Sequence, residues 1–245
     1  MKDFNAERLK RMEQAMLTCT MCGFCKSVCP SYKEAGWDTS AARGRVILSY
    51  GLVQGDLEPD EDLIDSIYTC TTCMDCYRRC PSKVDVVKIV EDARRDIVAS
   101  GRMLAKHAEV VDRVRSDGNP YGEKVSVPDT LGSEPRKAPL AYFAGCTATY
   151  RSKSISQATL SILGKLEEDF TVLDERCCGS VMGRIGCSDD ELIPMMARNV
   201  EHISSLGVET LILSCAGCYR MFKEEYPRHV DVPFRVLHVS EWLAE

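Results

Sequence analysis

Histidine is scarce in this chain, four in 245 residues, and aromatic side chains make up only 7%. His107, His202, His229 and His238 fall at no ligand spacing and beside no nucleophile motif, so neither a histidine-built metal site nor a nucleophilic triad is indicated. Long apolar runs are missing too: no stretch approaches the roughly 18–20 residues of a membrane helix. The N-terminus, Met-Lys-Asp-Phe-Asn-Ala-Glu-Arg, lacks the apolar core of a signal peptide. Basic excess is absent, with 31 Lys and Arg against 37 Asp and Glu. Both regions lean acidic, 19 basic to 21 acidic over 1–130 and 12 to 16 beyond, which argues against a nucleic-acid partner. No Gly-x-Gly-x-x-Gly opens a helix after a strand, so a flavin or nicotinamide cofactor would have to sit on a partner.

What the chain does have is cysteine, fourteen of them. A chain expected to stay in the cytoplasm keeps its thiols reduced, so these side chains read as metal ligands or catalytic groups rather than as a disulfide scaffold. They form two blocks. Cys19, Cys22, Cys25, Cys29, Cys70, Cys73, Cys76 and Cys80 occupy the first third, and Cys146, Cys177, Cys178, Cys187, Cys215 and Cys218 the rest. Between the blocks, residues 117–139 hold Pro120, Pro128, Pro135 and Pro139 with Gly118, Gly122 and Gly132, a run expected to sustain neither helix nor central strand and to serve as a linker.

The first block is an internal repeat. Cys-x-x-Cys-x-x-Cys-x-x-x-Cys-Pro occurs at 19–30 and again 51 residues later at 70–81. Around it the apolar period is helical: Phe4, Leu9, Met12 and Met16; Ala41 to Val53; 60–69; 84–99; and 103–115. Three thiolates at two-residue gaps converge on one point, as a cubane with one thiolate per iron requires. In two-cluster ferredoxins the fourth cysteine serves the other cluster. Cys19, Cys22, Cys25 and Cys80 are therefore expected to hold one 4Fe–4S cluster, and Cys70, Cys73, Cys76 and Cys29 the second. Zinc, with four ligands in separated pairs, leaves eight patterned cysteines overdetermined. Arg43 and Arg45 either face a cluster and raise its potential or lie on a solvated helix face.

The second block alternates short apolar runs (140–144, 170–173, 210–214, 236–239) with helical periods (153–166, 190–205 and 218 to about 225), which predicts a parallel α/β sheet. Each cysteine group follows a predicted strand: Cys146; Cys177-Cys178-Gly179; and Cys215-Ala-Gly-Cys218. Carboxyl ends of parallel strands share one edge, where ligands bind. Vicinal cysteines cannot both point inward from a strand, so Cys177-Cys178 must occupy a turn. Asp189, Asp190 and Glu191 read as a first helical turn, and Tyr219 as core or as a donor to a metal-bound sulfur. Cys187 is left over and reads as a small buried hydrophobe.

Phe143-Ala-Gly-Cys146, Cys177-Cys-Gly179, Ser214-Cys-Ala-Gly-Cys-Tyr-Arg220 and Cys70-Thr-Thr-Cys-Met-Asp-Cys-Tyr-Arg-Arg-Cys-Pro81 together resemble the iron–sulfur proteins related to heterodisulfide reductase. The resemblance is to the type that fuses a two-cluster ferredoxin segment to a CCG domain, and the glycolate oxidase iron–sulfur subunits are similar. It implies a non-cubane 4Fe–4S cluster on Cys146, Cys177, Cys178, Cys215 and Cys218, with Cys177 and Cys178 at the active metal; some CCG repeats bind zinc instead. It implies redox subunits as partners, a flavoprotein or another iron–sulfur protein, membrane-bound ones included. With one repeat present, a second CCG-bearing chain or a homodimer would set two clusters face to face. Three functions follow as expectations: a heterodisulfide-reductase-like oxidoreductase subunit acting on disulfide or thiol, a relay for a flavoprotein dehydrogenase such as a 2-hydroxy acid oxidase, or a zinc-bearing scaffold. The expected fold is α plus α/β: a helical dicluster domain over 1–116, the linker over 117–139, and a small parallel-sheet CCG domain over 140–245.

Overall fold

The computed structural model describes residues 4–245. The chain divides into two compact units, one made of residues up to 104 together with 183–188, the other of 105–182 and 189–245. Residues 105–139 thus fold with the second unit, and the short segment 183–188 with the first.

The first unit is helical. Its long helices are Ala42–Gln54, Glu61–Tyr68 and Val86–Ala99. Asp60 and Asp85 cap the latter two, each side chain accepting a backbone N–H three residues on (Leu63, 2.9 Å; Lys88, 2.9 Å), which supplies a partner for an otherwise orphaned donor. Their apolar faces meet in a core containing Leu9, Met16, Val46, Ile67, Ile89, Val90 and Ile97. The N-terminal apolar stripe forms two short helices, Glu7–Lys10 and Glu13–Leu17, rather than one. Around the break Arg11 N–H and Met12 N–H bond three residues back, to Arg8 and Leu9, which tightens the turn. The first of these helices is anchored at its start, where Asp96 accepts N–H bonds from Arg8 and Leu9 (3.0–3.2 Å).

Segment 183–188 joins this unit through backbone contacts. Tyr68 Oη donates to Ile185 O (2.7 Å) and Arg94 Nη1 to Arg184 O (2.9 Å). Gly186 lies so close to the Arg94 carbonyl that a Cβ would stand 2.5 Å from its oxygen, so only glycine fits there.

The second unit is built on four parallel strands, β1 (Leu140–Phe143), β2 (Phe170–Val172), β3 (Thr210–Leu213) and β4 (Arg235–His238), in the order β2-β1-β3-β4. Leu140 pairs with Phe170 on one side and with Thr210 on the other, and Thr210 pairs with Arg235, so all four strands begin in register; β1, β3 and β4 end together and β2 one residue earlier. Leu140, Tyr142, Leu163, Ile212 and Leu237 make one core layer, with Leu163 supplied by the helix Lys153–Lys165. The helix Asp189–Ser205 opens on three acids, as expected for its positive end.

The proline-rich stretch departs from expectation, because a short helix forms at Val127–Leu131. Ser126 Oγ accepts the Asp129 N–H (3.1 Å), and Pro128 sits in the first turn, where its missing N–H costs no helical hydrogen bond. Among the described residues no helix is long and apolar enough to cross a membrane.

Candidate metal centres

In the first unit the two cysteine loops repeat in conformation as well as in sequence. Met21 and Gly23 have positive φ (56° and 82°), and Thr72 and Met74, 51 residues on, have φ of 52° and 64°. A left-handed residue on either side of the second cysteine reverses the chain twice within one loop, and in the first loop Cys19, Cys22 and Cys25 all line one pocket. Three of these four residues carry a Cβ, at a cost of roughly 1–2 kcal/mol each, so surrounding contacts must hold them.

Cys19, Cys22, Cys25 and Cys80 line one pocket, together with Cys76, Val84 and Arg43. The Cys80 sulfur also accepts the Val84 N–H (3.5 Å). The other repeat's fourth cysteine, Cys29, lies near the start of the second loop. Ser31 Oγ, two residues after Cys29, donates to Thr69 O (2.7 Å), just before Cys70. Arg45 then links the two: Nη1 lies 4.0 Å from Cys29 Sγ, Nη2 bonds Thr69 Oγ1 (3.1 Å), and Nε bonds Ser66 O (2.7 Å). Burial pushes the Cys76 thiol up to about 12, and the nearby Cys70 and Cys73 sulfurs push the same way. Burial likewise raises Cys25, whereas the Phe24 N–H lowers the exposed Cys22. A thiol-only pocket lined from both loops fits a cubane cluster.

Of the two arginines marked in the sequence, only Arg45 is buried (1% exposed). Arg43 is partly exposed, paired with Asp38 (2.8 Å), and donates to Met21 O (3.2 Å). Sequence reasoning missed Arg94, 4% exposed on the helix Val86–Ala99. Its Nη2 bonds the carbonyls of Ile67 (3.0 Å), Tyr68 (3.2 Å) and Cys70 (2.6 Å), and its guanidinium lies over the Tyr68 ring.

In the second unit all three cysteine groups stand at the carboxyl edge of the sheet. Cys146 begins the short helix Cys146–Tyr150 directly after β1 and Gly145. Gly145 has φ 81°, and a Cβ there would meet Cys218 Sγ at 3.1 Å and Cys215 Cβ at 3.4 Å, so its lack of a side chain lets the groups approach. Cys215 caps the helix Ala216–Arg220, which carries Cys218. Cys146, Cys177, Cys178 and Cys218 line one pocket, and the Cys178 and Cys218 sulfurs are 3.3 Å apart. Among the described residues no group of three or more His, Cys, Asp or Glu forms a cage for a single ion. The donor set, five sulfurs without nitrogen ligands and including a vicinal pair, fits an iron–sulfur assembly.

The electrostatics of this site divide the thiols. Cys178 is held well below its ordinary value by hydrogen bonds with the sulfurs of Cys177 and Cys218. Cys215 is lowered to about 6, first by Cys218 and then by the N–H groups of Cys218 and Gly217 at the helix start. Burial raises Cys146 to about 12. Cys177 and Cys218 are pushed well up, first by their hydrogen bonds to neighbouring sulfurs and then by burial. Metal uptake therefore has to displace protons from some of these thiols.

The backbone of the Cys177-Cys178 turn is held from three sides. Cys177 N–H donates to Gly118 O (2.7 Å), Asn199 Nδ2 to Cys177 O (3.2 Å), and Tyr226 Oη to Cys178 O (3.0 Å); Asn199 Nδ2 also reaches Tyr226 Oη (2.9 Å). Glu175 accepts the Gly145 N–H on both carboxylate oxygens (3.0 Å each) and lines the pocket. Desolvation holds its carboxyl well above the usual range. None of Asn199, Tyr226 or Glu175 stands out in the sequence; Glu175, two residues before the vicinal pair, is the one within reach of a motif. Tyr219 Oη donates to Glu241 Oε1 (2.9 Å) rather than to a sulfur, so of its two readings, core or sulfur donor, the second is not met. Cys187 is fully buried, as read for a small hydrophobe, in segment 183–188, which belongs to the first unit.

Comparison with known proteins agrees with this architecture. Residues 15–84 match the 4Fe–4S dicluster domain family and residues 140–223 the cysteine-rich domain family. A dihydromethanophenazine:CoB–CoM heterodisulfide reductase subunit from Methanosarcina acetivorans is 32% identical, over all of this chain and 65% of that protein. A probable glycolate oxidase iron–sulfur subunit from Bacillus subtilis is 27% identical over 89% of this chain and 61% of that protein. A fumarate reductase (CoM/CoB) subunit from Methanothermobacter marburgensis is 29% identical over 93% of this chain and 47% of that protein. The chain thus spans at most about two thirds of the length of these curated relatives.

Proposed function

We propose, for a chain that belongs to the iron–sulfur proteins related to heterodisulfide reductase, those joining a dicluster domain to a CCG domain, an electron-transfer role that ends at the CCG site in disulfide or thiol chemistry. Cys19, Cys22, Cys25 and Cys80 hold one 4Fe–4S cubane, and Cys29, Cys70, Cys73 and Cys76 the other. Cys146, Cys177, Cys178, Cys215 and Cys218 hold a non-cubane 4Fe–4S cluster. When bound, these groups supply one-electron reduction and, at the CCG site, iron open to a substrate sulfur. Cleaving a disulfide takes two electrons, which must arrive one at a time.

The observation that carries this reading is the meeting of cysteines from three strand ends around one pocket. The chain's own residues supply the shape. Asn199 and Tyr226 orient the Cys177-Cys178 turn, Gly145 admits the Cys215 and Cys218 groups, and Glu175 fixes the Gly145 backbone. Partners are other redox proteins, a flavoprotein or iron–sulfur protein, or a second CCG-bearing chain. The name of the Bacillus subtilis relative favours a second reading, a relay for a flavoprotein oxidase of a 2-hydroxy acid.

Metal analysis and EPR of anaerobically purified protein test both. About twelve irons per chain and a non-cubane signal that changes on adding thiol or disulfide support the first reading. The same iron with a thiol-indifferent signal supports the relay. About eight irons with one zinc rejects the non-cubane assignment and leaves a scaffold.

A further inference from the structure

Arg45 and Arg94 are both at least 95% buried, and among the described residues neither forms an ion pair with a carboxylate. Arg45 bonds neutral oxygens and the Cys29 sulfur, and Arg94 bonds backbone carbonyls and stacks on the Tyr68 ring. Arg94 Nε is buried with no hydrogen-bond partner among the described residues. Glu91, on the same helix, adds a favourable charge at Arg94 after those of Cys70 and Tyr68, without pairing with it. A buried guanidinium with no paired carboxylate is costly, so a native fold that keeps two of them near one point calls for an anion there. Both converge on one cysteine set: Arg45 on Cys29 and Thr69, Arg94 on the Cys70 carbonyl. An iron–sulfur cluster with four thiolates is an anion, and gains one more negative charge when reduced.

The other set is served differently. Its cations are Arg43 and Lys26, both partly exposed and both paired with Asp38 (2.8 and 2.6 Å). Their charge is offset by the acid and screened by water. Asp75, in the loop of the Arg45–Arg94 set, is exposed and screened in the same way. Buried charge acts through a lower dielectric than exposed charge, so the two pairs of cations do not balance.

We infer that Arg45 and Arg94 are the counter-charges of the centre at Cys29, Cys70, Cys73 and Cys76 and make it the easier of the two cubane centres to reduce. This rests on the ligand reading above. In the singly reduced protein the electron then resides at that centre: the centre at Cys19, Cys22, Cys25 and Cys80 is left oxidised, and no proton or other atom moves.

The test is a dye-mediated dithionite titration followed by EPR, on anaerobic protein in a Cys178→Ala background that removes the third centre. Two separate one-electron waves are expected. Arg45→Gln and Arg94→Gln should each move the easier wave to more negative potential, by a tenfold or greater fall in its reduced-to-oxidised ratio at fixed potential (59 mV per tenfold for one electron). Each should leave the harder wave in place. Arg45→Lys, which keeps the charge, should restore most of the shift, and Arg43→Gln should move only the harder wave, by less. Coincident waves in the protein with both arginines intact overturn the inference. So does movement of the harder wave, or of neither, in the glutamine variants. Should those variants not fold, Arg43→Gln decides alone, because movement of the easier wave contradicts the assignment. Iron well below about eight per chain contradicts the ligand reading itself, a failure distinct from wrongly ordered potentials.

Discussion

The two cysteine assemblies of this chain are made in opposite ways. In the first unit, three of four sulfurs in each set lie within seven consecutive residues, and two left-handed residues per loop aim them. In the second, Cys146 and Cys218 are far apart in sequence and meet because β1, β2 and β3 end at one edge. A loop-built site stores its geometry in backbone strain, whereas an edge-built site stores it in the packing of a whole sheet. The first should therefore yield to local changes, and the second to changes anywhere that the sheet or its supporting hydrogen bonds are loosened.

The largest effect expected is at Cys178→Ala. This variant should lose the metal of the CCG site entirely and leave both cubane signals in the EPR spectrum. Simultaneous loss of all signals would show that the two assemblies are not separate. Next is Cys80→Ala, which should abolish or convert the cluster whose other ligands are Cys19, Cys22 and Cys25, and spare the one at Cys70, Cys73 and Cys76. Damage to the local trio instead would refute the crossover of fourth ligands.

Tyr226→Phe should act more mildly and only on the edge-built site. It strips a hydrogen bond from Cys178 O and another from Asn199, for a loss of about 1–3 kcal/mol seen as a lower denaturation midpoint. Metal affinity at the CCG site should fall by roughly 10–100-fold, as for other groups that orient ligands, with the cubanes unaffected. The smallest effect sharpens the comparison from the other side. Met74 holds the left-handed position that Gly23 holds in the first repeat. Met74→Gly should stabilise the metal-free protein by up to about 1 kcal/mol and Gly23→Met destabilise it by at least as much, read from the same midpoints. Equal responses would mean the loops carry no stored strain.

Much of this was legible in the residues. The apolar periods marked the helices Ala42–Gln54, Glu61–Tyr68 and Val86–Ala99 and all four strands to within a residue or two, because burial of one face is what those periods record. The doubled cysteine motif marked the loops. The Val127–Leu131 helix left no such mark, because proline content argues against a helix only where an N–H is needed, and Pro128 falls in the first turn, where none is. Arg94 looked like any charged residue on an amphipathic helix, and nothing near it in sequence announced that the Cys70 loop would close over it. Asn199 and Tyr226 lie well beyond the vicinal cysteines they hold, so no local pattern joined them.

Sequence alone determined which atoms are available and which are locally grouped: sulfurs at fixed short gaps, strands with cysteines just after them, and little else that could do chemistry. Such information is local because spacing and period act over a few residues. Tertiary structure decided which sulfurs meet across loops and strands, which guanidiniums lose their water, and which neutral side chains brace the turns. Those outcomes depend on contacts between residues far apart in the chain, where the free energy comes from burial and hydrogen bonding across elements rather than from any preference a short stretch can express.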